Sequence, residues 1–178
     1  MRQSKRTEIL EAGKRVIQRD GVTTLTYESV AAEAGLTKGG LLYHFPSRED
    51  LMLALHQHMA ATWEQCLEDE AGGASGELSA QQRFAAFARL SQNPDRAELL
   101  LMLEAAEDRQ ASPVWDEVYE RWTPGAPAEG GSTAEFIARL AADGLWFYEA
   151  LRTSPLDPAV RERVVEEIIE LARRGDDA

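Results

Sequence analysis

The sequence of 178 residues contains one cysteine, three histidines and no long apolar run. A single cysteine, Cys66, excludes an intramolecular disulfide bond and a zinc site built from several thiolates. We expect Cys66 itself to be a small, buried, apolar side chain. No stretch approaches the roughly 18–20 apolar residues that a membrane helix needs, and no apolar signal segment follows the basic N-terminus. These absences predict a cytoplasmic protein with no membrane association and no metal site.

The residue combinations that enzymes use are also scarce. The chain contains no phosphate-binding loop and no metal-binding motif. His56 and His58 are two residues apart, so on a helix their side chains point in different directions. Cys66 lies about 12 Å of helical rise from His58, which is too far for a nucleophile and its base. We therefore expect neither an enzyme nor a bound cofactor.

Positive charge is limited and unevenly placed. The chain has a formal net charge of −12. Residues 1–48 nevertheless hold eight Lys and Arg against five acids, a net +3, which leaves −15 for residues 49–178. An acidic protein avoids DNA unless its cations are gathered in one place. The asymmetry therefore favours a nucleic-acid-facing N-terminal segment and a body with a different role.

Apolar residues recur with helical spacing in nearly every segment, and no convincing alternating strand pattern occurs. The predicted fold class is therefore all-α. Asp20-Gly21 and Gly35 are expected to end helices in the left-handed conformation. Caps, stops and periodicity together predict about nine helices, at residues 4–19, 27–34, 38–43, 48–70, 79–91, 95–110, 112–122, 133–152 and 158–174.

The second and third predicted helices have the spacing of a helix-turn-helix, because only the three residues 35–37 separate them. In that motif the second helix lies in the major groove while the first braces it across the DNA backbone. Gly39 and Gly40 each disfavour a helix by roughly 1 kcal/mol relative to alanine. Close approach of the backbone to a groove wall explains them, and a simple turn is the alternative.

DNA contacts are expected from the starts of predicted helices 27–34, 38–43 and 48–70 and from the end of helix 38–43. Lys38 projects toward bases or phosphates, and Tyr43 and His44 meet phosphate oxygens, although packing is an alternative role for His44. Leu41, Leu42 and Phe45 are expected in the core. The predicted DNA-binding residues are Thr26, Tyr27, Thr37, Lys38, Gly39, Gly40, Tyr43, His44 and Arg48.

A long run of residues in the first third of the chain matches a known pattern: Ile9, Leu10, Gly21, Thr26, Val30, Ala31, Gly35, Leu36 and residues 39–51. On these residues, the first fifty positions resemble the DNA-binding domain of the TetR/AcrR family of transcriptional regulators. Two positions depart from the family pattern, which often has tyrosine at Leu42 and lysine at Arg48. Leu42 lacks a hydroxyl donor to phosphate, so Tyr43 and His44 are expected to carry more of that contact.

The resemblance implies an all-helical homodimer that binds a near-palindromic operator in double-stranded DNA and usually represses transcription. An unknown small-molecule effector in the C-terminal part would change the separation of the two DNA-reading heads. Residues 1–47 are then a three-helix helix-turn-helix DNA-binding domain. Residues 48–178 are a helical domain for ligand binding and dimerisation. The alternative is a helical protein-interaction adaptor that does not bind DNA.

The C-terminal part contains the candidate effector and dimer residues. Predicted helix 133–152 is apolar almost all round in its later half, and helix 158–174 has two apolar stripes, so both favour packing against the body and against a twin subunit. A monomer with a wide core face is the alternative to this dimer. Ordinary core packing is the alternative for the aromatic residues, and pairing with Arg139 is the alternative for Asp143. The predicted pocket residues are Met102, Trp115, Tyr119, Trp122, Asp143, Trp146 and Phe147. The predicted dimer residues are Ala141, Gly144, Tyr148, Val165, Ile168, Ile169 and Ala172.

Overall fold

The computed structural model describes residues 4–127 and 132–176 of the chain. All regular structure assigned in those two ranges is α-helix or 3-10 turn, without a strand, which confirms the all-α fold class. None of the described helices is long and apolar enough to cross a membrane. The nine described helices are α1 (Lys5–Asp20), α2 (Tyr27–Ala34), α3 (Lys38–His44), α4 (Arg48–Ala71), α5 (Ala80–Leu90), α6 (Arg96–Ala105), α7 (Ser112–Trp122), α8 (Thr133–Leu151) and α9 (Pro158–Asp176).

The chain divides into two compact units. Unit 1 comprises Met1–Ala61 and Arg96–Trp115, and unit 2 comprises Thr62–Asp95 and Asp116–Ala178. Helices α4 and α7 each contribute residues to both units. The predicted division of roles at residue 48 concerns function rather than compactness, and it stays a prediction.

Unit 1 is built on the inward faces of α1, α2, α3, α6 and the first half of α4. Gly13 lets α1 approach α4 closely, because a Cβ atom at this position would lie 3.0 Å from Leu55 Cδ2. The short helix α3 packs against α2. The fully buried side chains of unit 1 include Ile9, Val16, Ile17, Leu25, Val30, Leu41, Phe45, Leu51 and Leu55.

The helix ends in unit 1 follow their caps. The hydroxyl oxygens of Thr26 and Thr37 accept hydrogen bonds from the main-chain N–H groups three residues later, at 3.1 Å in both cases. Helix α2 ends at Gly35 in the left-handed conformation, as predicted. Gly21 also ends α1 with a positive φ of 89°, but its ψ of 165° lies outside the left-handed region. That combination is open essentially only to glycine.

Unit 2 is built around α5, α8 and α9. The loop between α8 and α9 is fixed by Glu149, whose Oε1 accepts a hydrogen bond from Leu156 N at 3.2 Å. Glu149 Oε2 also lies 3.7 Å from Arg161 Nη1. The two contacts tie the end of α8 to the start of α9. Buried apolar residues of this unit include Phe84, Phe87, Trp122, Ala138, Ala142, Leu145, Val165 and Ile169.

Two local expectations are wrong. Cys66 is exposed on α4, because the inward position at this turn is taken by its neighbour Leu67. Helix α6 ends at Ala105 rather than near residue 110. Asp108 Oδ1 accepts a hydrogen bond from Gln110 N at 2.8 Å, and this Asx turn competes with continuation of the helix.

Candidate functional site

Helix α3 presents one face outward from unit 1. Leu41 on its inward side and Phe45, which follows the helix, are fully buried, whereas Leu42 is 38% exposed and Tyr43 is 84% exposed. Positions 38, 39, 42 and 43 lie on one side of an α-helix by the spacing of three and four residues. We call this surface, made of Lys38, Gly39, Leu42 and Tyr43, the outer face of α3.

The two glycines of α3 lie inside the helix and are not turn residues. Neither has a positive φ, unlike Gly21, Gly35 and Gly72. A Cβ atom at Gly39 would meet nothing within 4 Å, and one at Gly40 would meet only Thr37 Oγ1, at 3.4 Å. The turn explanation is therefore wrong, and the fold does not require glycine at Gly39. Close approach of another molecule to the bare backbone is a physical reason that fits.

Lys38 forms an ion pair between α3 and α2. Its Nζ lies 2.7 Å from Glu28 Oε1, and this hydrogen bond lowers the pKa of the Glu28 carboxyl. Both side chains are exposed, so water and mobile ions screen the pair. The ammonium group can therefore turn to another acceptor without disturbing the core.

Three of the predicted contact residues are already engaged within the protein. The hydroxyls of Thr26 and Thr37 cap α2 and α3. The Tyr27 hydroxyl donates to the main-chain oxygen of Phe45 at 2.7 Å, and burial raises its pKa. These bonds fix the start of α2 and both ends of α3. In this arrangement the Tyr27 proton is not offered to a phosphate.

Arg6 connects the start of α1 to the end of α3, a contact that the sequence reasoning missed. Its Nη1 donates to the main-chain oxygen of His44 at 3.1 Å, and its Cζ lies 4.3 Å from the centroid of the Phe45 ring. A cation at a helix C-terminus satisfies an unpaired carbonyl and opposes the negative end of the helix dipole. The basic N-terminal residues were the available signal, but spacing could not pair them with α3.

A buried polar cluster lies elsewhere in unit 1. Trp115 Nε1 donates to His56 Nδ1 at 3.1 Å, and His56 Nε2 lies 2.8 Å from Glu104 Oε2. Because Nδ1 accepts the indole proton, the imidazole carries its own proton on Nε2 and donates it to the carboxylate. Trp115 is therefore a buried core residue whose polar atom is already used.

Aromatic side chains of unit 2 cluster around Tyr119. Its ring centroid lies 5.0 Å from that of Trp63 and 5.7 Å from that of Phe87. The guanidinium carbon of Arg139 lies 5.5 Å from the same Tyr119 ring. Trp63 and Phe87 were not predicted for this site, because they come from different helices and only the fold brings them together.

Asp143 follows Arg139 by one turn on α8. Burial raises the pKa of the Asp143 carboxyl to about 6, although the positive charge of Arg139 opposes this effect. Arg139 Nη1 donates instead to the main-chain oxygen of Pro124, at 3.3 Å. Because burial disfavours the ionised form of Asp143, a cation that binds beside the carboxylate would stabilise that form.

Helices α8 and α9 expose apolar surface. An open groove of about 540 Å³ runs along α9, with Val160, Val164, Ile168 and Leu171 on its floor and charged residues around them. Contiguous apolar surface rimmed by charge is typical of protein interfaces. The exposed large apolar residues of α8 are Ile137, Leu140, Phe147, Tyr148 and Leu151.

Family models match both parts of the chain. Residues 9–55 match the model described as bacterial regulatory proteins of the tetR family. Residues 78–173, more than half of the chain, match the model described as the tetracyclin repressor-like C-terminal domain. The chain belongs to the TetR family of transcriptional regulators. This membership confirms the resemblance seen in the first fifty residues and extends it to the C-terminal part.

A curated relative matches a shorter segment of the chain. The HTH-type transcriptional regulator TtgR of Pseudomonas putida is 35% identical to the chain over 75 residues. The alignment covers 38% of this chain and 35% of TtgR. The chain thus spans about a third of the length of this curated relative.

Solved structures match over almost the whole chain. The multidrug binding protein EbrR complexed with malachite green has a TM-score of 0.69 and 25% identity, over 96% of this chain and 99% of that chain. A TetR family member from Streptomyces coelicolor A3, SCO1917, has a TM-score of 0.66 and 23% identity, over 96% and 99% of the two chains. The TetR fold therefore extends over nearly the full length of this chain.

In this TetR-family chain, Leu42 departs from the expectation that it belongs to the core. Helix α3 has seven residues, and its inward positions are filled by Leu41 and Phe45. Leu42 follows Leu41 by about 100° of helical rotation and reaches the outer face. The predicted DNA contacts of α2, α3 and the start of α4 stay predictions.

The predicted effector residues are distributed over both units. Tyr119, Trp122, Asp143 and Trp146 belong to unit 2, whereas Met102 and Trp115 belong to unit 1. Trp122 is buried, and its Nε1 donates to Glu64 Oε1 at 3.1 Å. Phe147 is exposed on α8, so a surface role suits it better than a pocket role.

The predicted dimer residues also differ in how much of each side chain is exposed. Val165 and Ile169 are each only 2% exposed within the single chain, which conflicts with their assignment to a subunit interface. They form the stripe of α9 that packs inside unit 2. Ile168 lines the α9 groove but is itself only 6% exposed. A Cβ atom at Gly144 would meet nothing within 4 Å. Ala141, Tyr148 and Ala172 are at least partly accessible.

Proposed function

We propose that this TetR-family regulator is a repressor that binds a near-palindromic operator as a homodimer and is released by a small aromatic cation. The main support for the proposal comes from the side chains on the outer face of α3. It offers an ammonium, a leucine and a phenol around the bare backbone of Gly39, which suits insertion into the major groove. Residues 1–47 then form the DNA-binding domain, and the protein acts in the cytoplasm, where the operator lies.

Phosphate contacts would flank this face. Tyr43 and His44 end α3, and Arg48 begins α4 with main-chain amides that point outward from the helix start. Arg6 places a further cation beside the end of α3. Donors on both sides of a recognition helix fix its register on the duplex, while base contacts supply the sequence preference.

Dimerisation follows from the surface of α8 and α9. One recognition helix contacts few bases, so two are held about one helical turn apart, roughly 34–36 Å. The exposed apolar residues of α8 and the groove of α9 are the apolar surfaces offered to a second copy. Paired across a twofold axis, the two helices of each subunit would form a four-helix interface.

The effector class is supported by unit 2 and by one solved relative. EbrR, 25% identical to this chain, was solved with malachite green, an aromatic cation. In this chain, the rings around Tyr119 can stack on such a ligand. Asp143 supplies a carboxylate whose ionisation a cation would favour. We propose that these groups form the effector site in residues 48–178.

Release requires that the effector bind two states with different affinity. Helix α4 is continuous and contributes residues to both units. A ligand that favours another course of α4 would therefore change the spacing of the two heads. Operator affinity would fall by the ratio of the ligand affinities for the two states.

Selection of bound sequences from a random DNA pool at low salt tests the DNA-binding part of the proposal. We expect recovery of a near-palindrome, with affinity that falls steeply as salt is added. Lys38→Ala and Tyr43→Phe should weaken binding to that sequence without lowering the melting temperature much. No enrichment, even after removal of any resident ligand, would favour the adaptor alternative.

Calorimetric titration with malachite green tests the effector part. Asp143→Asn should weaken dye binding about tenfold, because it removes the counter-charge. The uncharged leuco form of the dye should bind both proteins with similar affinity. An equal loss of affinity for the charged and uncharged forms would show that the substitution changes the shape of the site and not only its charge.

A further inference from the structure

We propose that Leu42 is a specificity-determining residue that reads the 5-methyl group of a thymine in each operator half-site. The proposal rests on the proposed DNA-binding function and specifies which base one residue recognises. Its basis is the position and chemistry of Leu42 on the outer face of α3.

The position of Leu42 excludes a role in the core. It is 38% exposed, while its neighbour Leu41 and the residue one turn later on the inward side, Phe45, are fully buried. Leu42 shares its face with Lys38, four residues earlier, and with Gly39, three residues earlier. Because a Cβ atom at Gly39 would meet nothing within 4 Å, the backbone beside Leu42 is open to close approach.

The chemistry of the outer face limits what it can read. Lys38 donates hydrogen bonds and suits guanine O6 and N7. The face carries neither the amide that pairs with adenine nor a carboxylate of its own that accepts from cytosine. Leu42 has no polar atom, so its only favourable partner on a base edge is the thymine methyl group. In the bound state this contact removes apolar surface of Leu42 from water.

Open space beside the residue supports contact rather than incidental exposure. A single exposed leucine on a soluble protein needs no special explanation. Leu42, however, lies between an adjacent tyrosine that is 84% exposed and a helical glycine that nothing in the fold requires. When such a helix approaches a duplex closely, an apolar group on its outer face contacts the base edges.

The test replaces thymine by deoxyuridine, which removes the methyl group and keeps the base pair. Each thymine of the selected operator is substituted in turn, symmetrically in both half-sites, and the dissociation constant is measured with full-length protein. At one position we expect wild-type protein to lose about fourfold in affinity per half-site. Leu42→Ala should bind the thymine and uracil operators equally, and Leu42→Met should keep the preference for thymine.

Lys38→Ala provides the matched control, because it lies on the same face but is assigned a different base. It should weaken binding to both operators by the same factor and keep the preference for thymine. The inference is overturned if no uracil substitution matters, if Leu42→Ala keeps the full preference, or if the half-site contains no thymine. Failure to select any DNA sequence would instead overturn the proposed function, and the inference with it.

Discussion

The ionisation of Asp143 makes stability depend on pH. Its pKa is about 6 in the folded chain against 3.8 for the unperturbed carboxyl. The folded state therefore binds this proton more tightly than the unfolded state does. The resulting stabilisation is fully present below pH 3.8 and is lost as the pH rises through about 6. Asp143→Asn mimics the protonated side chain, so we expect it to stabilise the protein at neutral and alkaline pH.

The size of the effect follows from the shift in pKa. The rise in the pKa of Asp143 from 3.8 to about 6 corresponds to about 3 kcal/mol once the carboxyl is ionised in both states, as at pH 8. At pH 5 the same two pKa values give about half of that energy. Asp143→Asn should therefore raise the free energy of unfolding by about 1 kcal/mol more at pH 8 than at pH 5. Its amide still requires hydrogen-bond partners, so the absolute gain will be smaller than these values.

Urea unfolding at a fixed protein concentration measures this difference, because dimer dissociation would otherwise change the apparent stability. The dependence of stability on urea concentration should be unchanged by the substitution. Glu120→Gln, which removes an exposed carboxylate from α7, should show no comparable difference between pH 5 and pH 8. An Asp143→Asn effect that is equal at the two pH values would refute burial as the cause.

Three further substitutions separate packing from recognition. Gly13→Val should destabilise the protein by about 1–3 kcal/mol in urea unfolding, because the added carbons meet Leu55. Gly39→Ala should instead stabilise it by up to about 1 kcal/mol, yet weaken operator binding in a titration, because its methyl group occupies the open side of α3. Glu28→Gln should raise affinity for non-specific DNA at low salt by releasing Lys38, and the gain should vanish when Lys38→Ala is added. Unchanged non-specific affinity in Glu28→Gln would show that the ion pair does not compete with DNA.

The helix count and the helix-turn-helix could be predicted from the sequence because their signals are local. Thr26 and Thr37 cap the helices on which the motif depends, and Gly35 ends α2 in the left-handed conformation. Each of these features is determined within about four residues. The two apolar stripes of α9 could also be predicted, but the periodicity does not determine which stripe packs against the rest of the chain.

Side-chain partners across the fold could not be predicted, because they depend on which helices meet. Trp115 is an aromatic residue of the kind that lines pockets, yet its indole N–H donates a hydrogen bond to His56, which lies 59 positions earlier in the sequence. Leu42 is an apolar residue of the kind that fills cores, yet the inward side of the seven-residue helix α3 is taken by Leu41, and Phe45, which follows the helix, is buried beside it. The burial of Val165 within the single chain could not be predicted for a similar reason, because burial inside one chain and burial between two chains require the same residue types.

The local pairing of cations changes what the charge asymmetry implies for DNA binding. Arg15 Nε and Arg19 Nη1 both contact the carboxylate of Glu33, at 2.7 and 3.0 Å. Lys38 is paired with Glu28. The count of eight Lys and Arg side chains in the first 48 residues thus overstates the number of cations available to phosphates. If each head neutralises about three phosphates, the affinity of the proposed dimer should fall with a logarithmic salt slope of about −5. About eight contacts per head would give about −14. A shallow slope would mean that base contacts on the outer face of α3 carry much of the operator preference, as an acidic regulator requires if it is to avoid unrelated DNA.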